Sequence, residues 1–282
     1  KSVYLYGEGW NMGEVADNAQ FIQASQGNIA GTNIGAFNDR LRDAVRGGGP
    51  FDSDMRTYQG FGTGQFTDPN GFSDQSAEAQ KASLLHGMEN IMVGLAGSLK
   101  DYEIPTQDGM KPGKDVDYNG QASGFTASPQ ESINYVEAHD NETLFDNGIF
   151  KLPTNSSMDT RVRMQVLSNA TVALGQSPAF LASGTEMLRS KSLDRDSYNS
   201  GDWFNAIDWT MNWNTFGKGL PVQDKNGEKW GIMAPLLQTG ADLPNKAAMQ
   251  QTNGMVLELL ELRSSSPLFT LGSADRIKEK LS

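Results

Sequence analysis

Glu8 stands between Gly7 and Gly9, with Trp10 directly after it, at the end of the unbroken β-forming run Val3–Tyr6. Asp140 follows His139 at the end of a second β-prone run, Ser132–Ala138, and Asn141 comes next. The first run has no polar alternation, which suits a strand buried on both faces, and its flanking glycines leave room for a ligand to approach Glu8. Two carboxylates at the ends of parallel strands would open onto one face. Paired carboxylates with aromatic neighbours suit glycoside hydrolysis: one protonates the leaving oxygen, the other attacks the anomeric carbon or stabilises its charge. Trp10 and Trp203 are candidate stacking platforms for the apolar C–H faces of sugars.

Other chemistries are excluded by inventory. There are no cysteines, so thiolate metal sites, disulfides and cysteine nucleophiles are absent. Only two histidines occur, without HxH or HxxxH spacing, and no GxSxG elbow is present. His86, beside an apolar helical stripe, reads as packed or solvated. The 282 residues carry a net charge of −11, which disfavours nucleic acid as a partner and suits a neutral substrate. No apolar run approaches the roughly 20 residues of a membrane span.

The elements that must position the two acids follow a βα rhythm. Strands are expected at 2–8, 132–138 and 178–182, and helices at 76–99, 159–174 and 246–263, with a short helix at 38–46 capped by Asn38 and stopped by Gly47. The triple glycine of GGGPFD forces an irregular turn. Residues 11–37 and 53–74 read as loop. Residues 186–245 form a long excursion dense in charge and aromatic rings, of the kind that carries function. The pattern is α/β, a parallel sheet with outer helices.

YGEGW and VEAHDN resemble two short blocks of the α-amylase superfamily, glycoside hydrolase family 13. NIGAFNDRLRDAVRGGGPFD, RSKSLDRDSYNSGDWFN and LRSSSPLFTLG are similar to type I pullulanases, which cut α-1,6 bonds in pullulan and amylopectin; the similarity runs over nearly the whole chain. The resemblance implies the second half, strands five to eight, of a (β/α)8 TIM barrel, truncated at both ends. Residues 1–265 would be that half-barrel, and 266–282 the start of a connection to a C-terminal β-sandwich. Glu8 would be the general acid/base and Asp140 the transition-state carboxylate. His139 would hydrogen-bond the sugar, Trp10 would stack at the cleavage point, and Asn141, Asp202 and Trp203 would line the glucan cleft.

Two departures stand out. No block of the GFRFD type, which carries the family's nucleophilic aspartate, occurs here, so the isolated stretch is expected to be inactive without an N-terminal half of the same enzyme. GDWFN is followed by Ala206 where close relatives have Arg. The family chemistry needs no cofactor; Asp115, Asp117 and Asn119 offer hard oxygen ligands to calcium, without EF-hand spacing. The implied partner is an α-glucan: pullulan, amylopectin or glycogen. The implied location is secreted or on a bacterial cell surface. The alternatives are isoamylase, limit dextrinase, amylopullulanase or a non-catalytic glucan-binding module.

Overall fold

The computed structural model describes residues 3–281. Its strands are short: β1 (Tyr6–Gly7), β2 (Gly35–Phe37), β3 (Glu103–Thr106), β4 (Gly109–Pro112), β5 (Asp117–Tyr118), β6 (Gln121–Ala122) and β7 (Ser132–Ile133). The helices are α1 (Asp39–Arg46), α2 (Ala77–Leu95), α3 (Leu144–Lys151), α4 (Met158–Ala173), α5 (Asp202–Asn205), α6 (Gln223–Asn226), α7 (Trp230–Leu237), α8 (Lys246–Ser265) and α9 (Ala274–Lys280). β1, β2 and β7 form a parallel sheet in that order, extended by a parallel bridge between Asn134 and Ala179. β3–β4 and β5–β6 are separate antiparallel hairpins.

The expected second half of a TIM barrel is overturned. Among the described residues there are three small sheets and many helices, and no closed barrel. The run 2–8 yields only Tyr6–Gly7 as strand, and Ser2 lies outside the described residues. Val3 and Leu5 are 83% and 61% exposed, so this segment is not buried on both faces. Ser132–Ala138 pairs as a ladder only at Ser132–Ile133, and 178–182 contributes one bridge. The physical reason is partnering: apolar residues become ladder only where a neighbouring backbone is available to bond.

The helices follow their sequence signals more closely. Asn38 caps α1 by accepting from Leu41 N, and Gly47 closes it at φ 85°. A side chain at Gly47 would meet the Gln59–Gly60 peptide at 2.4 Å, so close backbone approach requires the first glycine of the triple-glycine turn. Ser76, Ser157 and Asn245 cap α2, α4 and α8. Residues 11–37 hold β2, and the expected excursion 186–245 holds α5, α6 and α7.

Two apolar clusters pack the helices together. One gathers Phe145, Ile149, Val162, Leu188, Leu193, Phe216 and Met233; the other joins Leu41, Val45, Ile91, Val136, Leu144 and Val172. A buried polar network ties sheet to helices. Asn38 Nδ2 donates to Ser98 Oγ at 3.0 Å and Asn134 Oδ1 at 2.9 Å, while Asn134 Nδ2 donates to Gly94 O at 2.9 Å. Glu131 is fully buried and accepts backbone N–H groups from Gly31, Asn33, Ala127 and Ser128, fixing the entry to β7. No described helix is long and apolar enough to cross a membrane.

Candidate active site

The sheet ends deliver Glu8 and the His139–Asn141 turn to one cleft of about 710 Å³. Glu8 follows β1, whose register is set by pairing with β2 and by Gln26 N donating to Gly9 O at 3.0 Å. Gly9 adopts φ +74°, and a Cβ there would lie 2.5 Å from Ala36 Cβ. This glycine is therefore needed for packing against β2, a different reason from ligand approach. The turn that carries His139 continues from β7, and Asn141 takes a left-handed φ of 64° that redirects the chain into α3.

His139 stands between the two acids. Its Nε2 is 3.6 Å from Glu8 Oε1 and 3.5 Å from Asp140 Oδ1, beyond hydrogen-bond length but close enough for a protonated ring to be shared. Among the described residues this is the one trio of His, Asp and Glu groups whose polar atoms all lie within 4.8 Å. His139 and Asp140 are exposed and Glu8 half-buried, so all three are accessible to a substrate. Trp10 packs against Phe37, Ile133 and Tyr135 and lines the cleft with Glu8, His139, Asp140 and Asn141. Asp202 and Trp203 do not line it; Trp203 is 64% exposed on α5 and donates its indole N–H to Lys218 O. In the loop considered for calcium, Asp117 Oδ1 accepts Gly120 N–H across the β5–β6 turn.

Several cleft residues were not singled out in the sequence. Arg42 on α1 donates to Tyr135 Oη at 2.6 Å and to Asp43 at 2.7 Å, and lies 5.9 Å from the Trp10 ring centre. Burial opposes its charge, but Asp43, Tyr135 and Asp39 together outweigh that and the guanidinium stays firmly protonated. Burial pushes the Tyr135 and Tyr118 hydroxyls up, with Asp43 adding to the Tyr118 shift. Burial also raises Glu137, against the opposing effects of Leu144 N–H and Arg46. Asp39, Arg42, Asp43 and Arg46 all reach the cleft from α1. Their three- and four-residue spacing was a signal in the sequence, since it places them on one side of that helix. Gly49, Pro50 and Phe51 also line the cleft, from the triple-glycine turn.

Residues 211–282 match the family described as alpha-1,6-glucosidases, pullulanase-type, C-terminal. The chain is 44% identical over 281 residues to Pullulanase 1, chloroplastic, of Arabidopsis thaliana, covering 99% of this chain and 29% of that protein. It is 43% identical over 282 residues to the pullulanase of Klebsiella aerogenes, covering 99% and 25%. The maltotriose complex of PulA from Klebsiella pneumoniae superposes with a TM-score of 0.91 at 43% identity, covering 98% of this chain and 29% of that one. Pullulanase from Bacillus acidopullulyticus gives a TM-score of 0.62 at 28% identity, covering 98% and 24%. The chain thus spans less than a third of the length of these relatives. It is similar to pullulanases over nearly its whole length, and its residues 211–282 match the C-terminal family of pullulanase-type alpha-1,6-glucosidases.

Proposed function

We propose that this chain is the part of a longer starch-debranching glycosidase that supplies its general acid/base, acting on α-1,6 bonds of pullulan-type glucans with retention. The observation that carries the reading is the convergence of Glu8, His139 and Asp140 at one open cleft beside Trp10. Glu8 protonates the glycosidic oxygen as the bond breaks, then takes a proton from the water that releases the product. Asp140 holds sugar hydroxyls and favours the positive charge that develops at the anomeric carbon. His139 donates to the sugar, Trp10 stacks on it, and Asn141 lines the wall.

A retaining enzyme also needs a nucleophilic carboxylate about 5–5.5 Å from its acid. The other cleft carboxylates are engaged or sequestered. Asp39 is paired with Arg40, Asp43 with Arg42 and Tyr118, and Asp196 with Lys225, while Glu137 is buried and bound to Leu144 N. What supports assigning the nucleophile to a segment outside these 282 residues is the resemblance, through the GFRFD-type block that this sequence lacks, and not these pairings.

The test is reducing-sugar release from pullulan by the full-length natural protein, by its Glu8→Gln variant and by the isolated 282 residues. The variant is expected to lose about 10²–10⁴-fold in rate, and the isolated chain to release nothing. Near-native cleavage by Glu8→Gln overturns the acid assignment. Cleavage by the isolated chain overturns the placement of the nucleophile, and glucan binding by a full-length protein without turnover favours a binding module.

A further inference from the structure

The turn from Glu137 to Glu142 carries His139, Asp140 and Asn141, and two buried cations from other elements hold it. Arg46, the last residue of α1, donates from Nη1 to Val136 O and from Nη2 to Glu142 O, each at 2.8 Å. These bonds fix the two ends of the turn. Lys191 fixes its middle, donating from Nζ to His139 O at 3.1 Å. Lys191 is only 4% exposed and does not line the cleft, so a glucan bound there does not touch it.

Lys191 is itself anchored. Asp146 on α3 is fully buried and accepts Lys191 N at 2.7 Å, Leu193 N at 3.2 Å and Ser190 Oγ at 2.5 Å. The chain of contacts thus runs from α3 through Asp146 and Lys191 to the His139 carbonyl, then across His139 to Glu8 and Asp140. A residue's carbonyl and side chain share one Cα, so turning the peptide re-aims the ring. A bond from a desolvated ammonium is of the charge-assisted, stronger class.

We propose that Lys191 is a positioning residue that aims His139 and Asp140 through the His139 carbonyl; its part in turnover rests on the glycosidase reading of the cleft. Lys191→Met keeps the side chain's length and removes the donor. The chain's two histidines make the readout direct, because His86 lies on α2 against Glu89, away from this turn. In NMR spectra of the 282-residue chain, the His139 ring resonances are expected to move while those of His86 stay in place. In the full-length natural protein, kcat on pullulan is expected to fall roughly 10- to 100-fold, as for a small misplacement of reacting groups, with KM little changed. A His139 ring that does not move overturns the proposal, as does equal movement of both histidines with loss of cooperative unfolding. Should Lys191→Met not fold, Lys191→Gln decides by the same comparison, its amide donor ending one atom short. A moved His139 ring in a protein whose natural full-length form does not cut pullulan sinks the glycosidase reading and leaves the positioning role in place.

Discussion

Lys151 is 1% exposed at the C-terminal end of α3, and its Nζ donates to Arg46 O at 3.2 Å and to Gly47 O. It therefore braces the start of the triple-glycine turn that lines the cleft. Burial, and then the neighbouring Arg46 charge, bring its pKa down from the ordinary 10.5 to about 7. Between those values the unfolded chain binds a proton that the folded chain has lost. Stability should therefore rise with pH from about 7 towards 10.5, and that gain disappears as pH falls through about 7. At ~1.4 kcal/mol per pH unit the full span is on the order of 5 kcal/mol. Lys151→Met fills similar volume without a proton to titrate. At high pH it should be less stable than the parent by about 1–3 kcal/mol, because two buried carbonyls lose a donor. At low pH that deficit should shrink or reverse, since the parent then holds a buried ammonium. The assay is urea unfolding followed by tryptophan fluorescence from about pH 6 to pH 10 for both proteins. Taking the difference at each pH cancels the titrations they share. A difference that stays constant across this range would refute the reasoning, because Lys151 would then keep its proton equally in both states.

Two further substitutions probe the scaffold beneath the acids. Asn38→Ala removes the α1 cap and strips buried partners from Ser98 and Asn134; the expected loss is roughly 2–4 kcal/mol in urea unfolding, and a loss under about 0.5 kcal/mol would show that the network relaxes. Gly9→Ala sets a Cβ 2.5 Å from Ala36 Cβ at φ +74°. It should destabilise by about 1–3 kcal/mol and also lower pullulan cleavage by the full-length natural protein, because Glu8 precedes the displaced residue; unchanged turnover would separate Glu8's placement from the β1–β2 contact.

The sequence by itself determined what local chemistry decides. The caps at Asn38, Ser76, Ser157 and Asn245 set where their helices begin, because an oxygen one residue before the helix satisfies an orphan N–H regardless of the rest of the fold. The grouping of Glu8 with His139 and Asp140 was legible too, since each lies just beyond a β-prone run. Sheet extent was not legible. Val3–Leu5 has the composition of a buried strand, yet it lies exposed, and no count of β-formers says whether a partner backbone is present. The half-barrel that the resemblance implied failed at the same point, because barrel closure depends on register and partner strands. Nor could the sequence show that Arg42 would reach Tyr135, that Asp146 would anchor Lys191, or that Lys191 would hold His139. These contacts join residues 93, 45 and 52 positions apart. Only the packing of α1, α3 and the 190–193 segment around one turn brings them together, and burial then makes their hydrogen bonds obligatory.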